Sequence, residues 1–182
     1  MLQITIPARE LYDEVNNLFI YEKEQTLQLE HSLVSLSKWE SKWCKPFLGK
    51  EPLTHEETID YIRCMTITQN VDPEIYGRLT PDNIKAVEKY IDAPMTATWF
   101  PQEGKEKGKN SGEVVTNELI YYWMVALGIP FECQKWHLNR LFTLVKVCNV
   151  KNKPPKKMSP KEIASRNAAL NAARRKKLNS KG

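Results

Sequence analysis

The chain has 182 residues, 41% of them apolar, and a formal net charge of +5. This length suits one domain of ordinary size plus a smaller segment, with enough apolar residues for a core. The longest apolar run, 119–127, is too short for the roughly 20 residues that cross a bilayer, so we expect no membrane span. No signal-peptide pattern opens the chain, and its four dispersed cysteines are typical of a cytosolic protein with reduced, mostly buried thiols.

The charge is distributed unevenly along the chain. Residues 151–182 contain eleven Lys and Arg and one acid, Glu162, and therefore carry +10. Because the whole chain carries +5, the first 150 residues must carry −5. A basic segment joined to a mildly acidic body is typical of a tail that engages a polyanion, an acidic partner or an acidic surface.

The N-terminal segment predicts a small antiparallel β-meander of three strands. Apolar and polar residues alternate over 2–6, residues 16–17 indicate a turn before the strand-like 18–21, and residues 26–31 alternate again. A sheet of this size needs a helix to cover it. Ser32 is placed to cap such a helix. Its apolar positions are Leu33, Leu36, Trp39 and Trp43.

The following residues predict helices. Thr54 and Glu57 have the spacing of a capping box for a helix to about residue 67. A short helix suits 73–79, and Thr80 followed by Pro81 starts another. In contrast, residues 101–113 contain three glycines and no apolar side chain, which predicts an exposed, mobile loop between two lobes.

The C-terminal half predicts a helical hairpin and a basic helix. Thr116 is placed to cap a helix over 117–127, Gly128 and Pro130 end it, and a second helix follows over 131–149. After a break, Ser159 and Glu162 form a capping box for an alanine-rich helix to about Leu178.

The sequence therefore predicts an α+β fold that is mostly helical. Its expected parts are a small N-terminal antiparallel β-meander packed on helices, a flexible loop, a helical hairpin and a basic helical tail. In order, they occupy residues 1–100, 101–113, 114–150 and 151–182.

Two groups of residues have the types that metal binding or catalysis needs. Cys133 and His137 are four residues apart, which suits a metal if both lie on one helix face, but no third ligand lies nearby in the sequence. Glu56, Glu57 and Asp60 cluster within one helical turn, as carboxylates of a hydrolase can. However, acids are also favoured in the first turn of any helix. We favour structural roles for both groups and predict no enzyme, metal or cofactor.

The aromatic residues of the hairpin allow two interpretations. Tyr121, Tyr122, Trp123 and Trp136 could form a base-stacking platform, but aromatic residues at helical spacing more often belong to a core. The helix over 119–127 is apolar nearly all round, so this domain or another chain must cover it on every side.

The basic tail also allows more than one interpretation. It can bind phosphates without sequence preference, or it can be a solvated tail that is ordered only when bound. Its helix has too few large apolar residues for a membrane-surface helix. The cations that we expect to make contacts are Lys156, Lys157, Arg166, Arg174, Arg175, Lys176 and Lys177.

Three segments carry a resemblance to a known family: LEHSLVSLSKWESKW (29–43), ELIYYWMVALGIPFECQKWHLNRLFTLVKVCNVKN (118–152) and PKKMSPKEIASRNAALNAARRKKLNSKG (155–182). The chain resembles the tail assembly chaperones of tailed bacteriophages and prophages, which are encoded near the tape-measure gene. The resemblance covers nearly the whole chain and is most specific over 29–43 and 118–149.

The resemblance implies a non-enzymatic protein of the host cytoplasm. It would coat the tape-measure protein, help tail-tube subunits polymerise around it and then leave, and we expect it to self-associate. We name Tyr122, Trp123, Trp136 and Arg140 as candidate partner contacts, with the basic tail on acidic patches of tube or tape measure. Two alternatives stay open: a structural virion protein of the tail or neck, and a nucleic-acid-binding module that acts through the basic tail.

Overall fold

A computed structural model describes residues 1–100, 114–153 and 159–178. The predicted loop 101–113 and the tail residues Lys156 and Lys157 lie outside the described residues. The fold is α+β and mostly helical, as the sequence predicted. The strands are β1 (Leu2–Ile6), β2 (Arg9–Asp13), β3 (Leu18–Glu22) and β4 (Gln25–Leu29). The α-helices are α1 (Leu33–Trp43), α2 (His55–Met65), α3 (Pro81–Asp92), α4 (Asn117–Ala126), α5 (Leu138–Asn152) and α6 (Pro160–Leu178), with 3₁₀ helices at Pro73–Arg78 and Phe131–Lys135.

The chain divides into two compact units, Met1–Asn149 and Val150–Gly182. The first unit contains the strands, the helices α1 to α4 and most of α5. The second contains α6, whose residues are all exposed. The predicted N-terminal part and the predicted hairpin segment therefore belong to one unit.

The four strands form a nested hairpin. β1 pairs antiparallel with β4, and β2 pairs antiparallel with β3. The predicted three-stranded meander is therefore wrong in its strand order, and it lacks β2. Alternation of apolar residues shows which face of a strand is buried, but it does not show which strand is the neighbour. The charges of β2 interrupt the alternation that would have revealed it.

The ladder of β1 and β4 carries the first hydrophobic cluster. Ile4 lies opposite Leu27 in the ladder, and both side chains are buried on one face. α1, α2 and α3 supply helical side chains to this cluster, with Trp39 and Tyr61 among the fully buried ones. The indole Nε1 of Trp39 donates to the backbone carbonyl of Glu57 at 3.0 Å. Burial of the large apolar residues is the main stabilising contribution here.

A second cluster lies on the other side of α1. Leu33 and Leu36 of α1 are buried in it, together with residues of α4 and α5, whereas Trp39 of the same helix belongs to the first cluster. α1 therefore supplies side chains to both clusters. Its predicted cap is confirmed, because Ser32 Oγ accepts from the Ser35 backbone N–H. The capping boxes predicted at Thr54 and Ser159 are confirmed as well.

The second helix of the predicted hairpin is not continuous. The 3₁₀ helix Phe131–Lys135 ends before an extended residue, Trp136, and α5 begins only at Leu138. His137 forms a β-bridge with Ser32, and the N–H of Leu138 donates to the carbonyl of His31 at 2.8 Å. These long-range contacts replace the helical bonds that local sequence favoured.

The N-terminus of α4 is capped by a residue of α1. Thr116 occupies the predicted capping position, but its side chain makes no capping bond. Instead the buried carboxylate of Glu40 accepts from both the backbone N–H and the side-chain amide of Asn117, each at 2.7 Å. It also accepts from the N–H of Phe47 at 2.8 Å. Glu40 thus supplies the acceptor for the first backbone N–H of α4, which has no partner within its own helix.

Candidate functional site

The acidic cluster of α2 has a structural role. Glu57 accepts from the N–H of Thr54 in the capping box and from Lys45 Nζ at 2.7 Å. The bond from Lys45 and the one from Thr54 lower the pKa of Glu57. Burial raises the pKa of Asp60, but bonds from Lys42 Nζ and Trp43 Nε1 outweigh it and lower the pKa overall. Both carboxylates therefore stay ionised in fixed pairs, which is unsuited to a general acid.

Cys133 and His137 do not form the helical pair that metal binding would need. Cys133 belongs to the 3₁₀ helix and His137 to the break before α5. His137 Nε2 donates to the carbonyl of Tyr90 at 2.9 Å, which leaves Nδ1 to accept from the N–H of Asn139 at 3.3 Å. Burial raises the pKa of the Cys133 thiol. Among the described residues, no three His, Cys, Asp or Glu side chains could hold one metal ion.

A second histidine, missed by sequence reasoning, lies against the first. The ring centroids of His31 and His137 are 5.1 Å apart, and both side chains are buried. His31 Nδ1 lies 2.5 Å from the hydroxyl of Tyr61. Burial and then the proximity of His137 lower the pKa of His31 to about 3. His31 therefore stays neutral at ordinary pH, and its ring lies just before α1, between the rings of Tyr61 and His137.

The four cysteines are free thiols, but the expectation that most are buried is wrong. Only Cys133 is buried, whereas Cys44 is exposed and Cys64 and Cys148 are half-buried. Cys44 ends α1 in the left-handed conformation, with φ of 50°. Because Cys44 lies at the end of α1, its side chain is outside both hydrophobic clusters to which α1 contributes.

A groove of about 380 Å³ lies between α2 and α3. Its lining is mainly apolar, and its titratable side chains are Tyr61, Glu88 and Asp92. The lining residues are Phe47, Leu53, Thr58, Tyr61, Ile62, Ile84, Val87, Glu88, Ile91 and Asp92.

The outward side of α4 is apolar and exposed. Tyr122 and Val125 lie on one side of this helix, and each is 65% exposed; we call this pair the α4 outer patch. Ile120 and Met124 on the inner side are fully buried in the second cluster. Phe131, which follows α4, is also exposed. The helix that looked apolar all round is therefore covered on one side only.

The other predicted contact residues lie elsewhere on this region. Trp123 is half-buried and packs against the second cluster. Trp136 is also half-buried, and the guanidinium of Arg140 stacks 4.0 Å from the centroid of its ring. The structure thus joins Trp136 with Arg140 and places Tyr122 in the outer patch. Trp123 offers a partner less surface than its position in the sequence suggested.

Sequence reasoning missed a second exposed apolar surface, the ribbon formed by β2 and β3. None of the ribbon's strand residues is buried. On one face Leu11 lies opposite Ile20, and on the other Tyr12 lies opposite Phe19 with ring centroids 5.0 Å apart. The turn at 16–17 was the available signal, because a turn between two apolar segments indicates a hairpin. The exposed large apolar residues of the ribbon are Leu11, Tyr12, Val15, Leu18, Phe19, Ile20 and Tyr21.

Both ends of the ribbon are held by polar contacts. At the tip, Asp13 accepts from the N–H groups of Val15 and Asn16. Its pKa is lowered, first by the bond from the Asn16 side chain. At the base, Arg78 Nη2 donates to the carbonyls of Pro7 and Lys23 at 2.7 and 3.2 Å. The ribbon is therefore an ordered projection whose apolar side chains face water.

The basic helix α6 is exposed along its whole length. Its cations Arg174, Arg175, Lys176 and Lys177 are consecutive, so they surround the last turn instead of lining one face. Cations near a helix C-terminus also interact favourably with the helix dipole. The arrangement offers positive charge in several directions, which suits a polyanionic or acidic partner without a fixed geometry.

Comparison with protein-family models, curated proteins and solved structures finds no match for this chain. Within residues 1–100, 114–153 and 159–178, no helix combines the length and the apolar character that crossing a bilayer requires.

Proposed function

We propose that the chain is a non-enzymatic tail assembly chaperone of a tailed bacteriophage, acting in the host cytoplasm. It would bind the tape-measure protein and help tail-tube subunits polymerise around it. The resemblance over 29–43 and 118–152 motivates this function. The observation that carries it is the α4 outer patch, where an otherwise packed helix leaves Tyr122 and Val125 in water.

The physical requirements of such a chaperone match this surface. A long helical chain with apolar stripes needs a shield before the tube surrounds it, and an exposed patch on a rigid helix can supply one. A patch of two side chains binds weakly by itself. Many copies along one chain can still bind strongly together and leave one by one.

The direct test is co-purification with the tape-measure protein encoded beside this chain. The Val125→Asp variant places a charge in the outer patch and should reduce recovery of the complex at least about tenfold. Val15→Asp is a matched control, because Val15 is also an exposed valine but lies at the ribbon tip. Circular dichroism of both variants checks that the fold is intact.

Two results would count against the proposal. The first is the absence of any complex between the unaltered proteins. The second is loss of the complex with Val15→Asp and not with Val125→Asp, which would move the contact to the ribbon. Abundant peptides of this chain in purified virions would instead favour a structural tail or neck protein, because a chaperone leaves before assembly is complete.

A second candidate function, nucleic-acid binding, is favoured by the exposed cations of α6. The full chain and a truncation after Val150 should be compared for DNA affinity across salt concentrations. A steep dependence of affinity on salt that the truncation abolishes would support it, since phosphate contacts release counterions. No binding by the full chain at low salt would exclude this function.

A further inference from the structure

The two edges of the ribbon have different chemistry. Three of the five residues of β2 are charged. In β3 only Glu22 is charged, and it is already paired with Arg9 and with Arg78 Nε, the latter at 3.3 Å. The rest of β3, residues 18–21, is an unbroken apolar run. Natural edge strands are protected by charges, prolines or covering elements, and residues 18–21 of β3 have none of these among the described residues.

The ribbon is also smaller than a sheet that is stable by itself. Two strands in water with both faces exposed are only marginally stable, whereas four strands are an ordinary sheet. β3 pairs only with β2 in the part of the chain that the structure describes, so its other edge offers free backbone N–H and C=O groups. This edge is therefore available for a further strand.

We propose that two copies of the chain associate through β3, antiparallel about a two-fold axis, to form a four-stranded sheet. With Ile20 on the axis, Ile20 faces its own copy and Phe19 faces Tyr21. One face of the sheet then collects aliphatic side chains and the other collects aromatic ones, which are favourable cross-strand pairs. No two like charges lie opposite each other, because β3 has a single charge and it falls opposite Leu18.

We assign a second copy of the chain to the free edge of β3 because this strand is complementary to itself. A two-fold interface uses the same patch on both subunits, and in this register residues 19–21 of each copy face apolar residues of the other. The buried area limits the affinity of this dimer. The side chains of residues 18–21 in the two copies together expose at most about 1,000 Å², which is at the low end for specific interfaces. We therefore expect a reversible dimer that forms at micromolar concentrations.

The first test measures the mass of the full chain by sedimentation velocity over a range of concentrations. Ile20→Lys and Phe19→Lys each place an edge lysine on β3 and should weaken the dimer about tenfold or more. Their controls are Leu11→Lys and Tyr12→Lys, the cross-strand partners on β2, which share the same faces but lie on the other edge. A monomer at all concentrations, or equal weakening by the control variants, would overturn the proposal.

The second test traps the two-fold register in a Cys44→Ser background, since Cys44 is the exposed thiol. Residues directly opposite in an antiparallel pair are about 5 Å apart, which a disulfide can bridge. Under mild oxidation Ile20→Cys should give a covalent dimer and Leu11→Cys should not. Failure of Ile20→Cys to cross-link would overturn the pairing. The cross-linking test does not use the tape-measure protein. Its failure would therefore overturn the dimer alone, and failure of the co-purification would count against the proposed function alone.

Discussion

The carboxylate of Glu40 is expected to be one of the most costly groups to remove from this protein. It is 6% exposed and accepts three hydrogen bonds, two from Asn117 and one from Phe47. In Glu40→Ala all three donors lose their acceptor, and the N-terminus of α4 loses the negative charge beside it. We therefore expect a large loss of stability from a single side chain.

The magnitude follows from the contacts. A buried donor left unsatisfied costs about 1–3 kcal/mol, and an anion at a helix N-terminus contributes about 0.3–1 kcal/mol. Because the three bonds share one acceptor group and water enters partly, we expect a total loss of about 3–5 kcal/mol for Glu40→Ala. Glu40→Gln keeps one acceptor oxygen and should lose about 2 kcal/mol. Asn117→Ala removes one of the three bonds and should cost less than Glu40→Ala.

The assays are thermal unfolding and equilibrium unfolding in urea, both followed by circular dichroism, together with hydrogen exchange. For a unit of this size, a loss of 3–5 kcal/mol corresponds to a fall in melting temperature of about 6–20 °C. Exchange should accelerate first at the amides of the first turn of α4. Glu88→Ala is the control, because Glu88 is an exposed helical glutamate, and it should change stability by less than about 0.5 kcal/mol.

One result would refute the reasoning about Glu40. If Glu40→Ala costs no more than Glu88→Ala, the carboxylate does not cap α4 in solution. A double-mutant cycle with Asn117→Ala measures the coupling directly, and near-additive losses would lead to the same conclusion.

Three further predictions concern other parts of the fold. The lowered pKa of His31 means that the unfolded chain binds its proton more readily, so stability is complete above about pH 6.5 and falls as pH drops toward 3. We expect this group to remove about 2 kcal/mol between about pH 7.5 and pH 5, and urea unfolding of His31→Gln should show a flatter pH dependence; an unchanged slope would contradict this. Gly128→Ala should lower stability by about 1 kcal/mol in thermal unfolding, because φ is +63° there although the added methyl group meets no atom; unchanged stability would contradict the strain. Arg78→Ala removes the donor to the Pro7 and Lys23 carbonyls and should speed hydrogen exchange in the ribbon while the helices keep theirs; a uniform acceleration would mean that Arg78 stabilises the whole unit.

The positions of most helices could be predicted because their signals are local, whereas the late start of α5 depends on contacts with residues 31 and 32. The cap of α1 at Ser32 and the capping boxes of α2 at Thr54 and α6 at Ser159 each join residues three apart. Such a bond depends on the backbone of one turn only, so the sequence contains all the information that it needs. The same is true of Gly128, whose left-handed conformation follows α4.

The candidate surfaces could be predicted only in part. The apolar character of α4 indicated a surface for a partner. Which side of α4 remains exposed to solvent depends on where α1 and α5 pack. Trp123 and Tyr122 are neighbours in the sequence, yet one packs against the second cluster and the other faces water. The ribbon was missed because exposure of apolar residues on both faces of a hairpin is contrary to the usual alternation.

The sequence alone thus determined most of the helices, the caps of α1, α2 and α6, and the division of charge between a mildly acidic body and a basic tail. The tertiary structure alone decided which distant groups meet: β1 with β4, Glu40 with the start of α4, and Ser32 with His137. The physical reason is that these contacts join residues far apart in the sequence, from 19 positions for Ile6 and Gln25 to 105 for Ser32 and His137. Their free energy depends on burial and complementary partners, which no local pattern specifies.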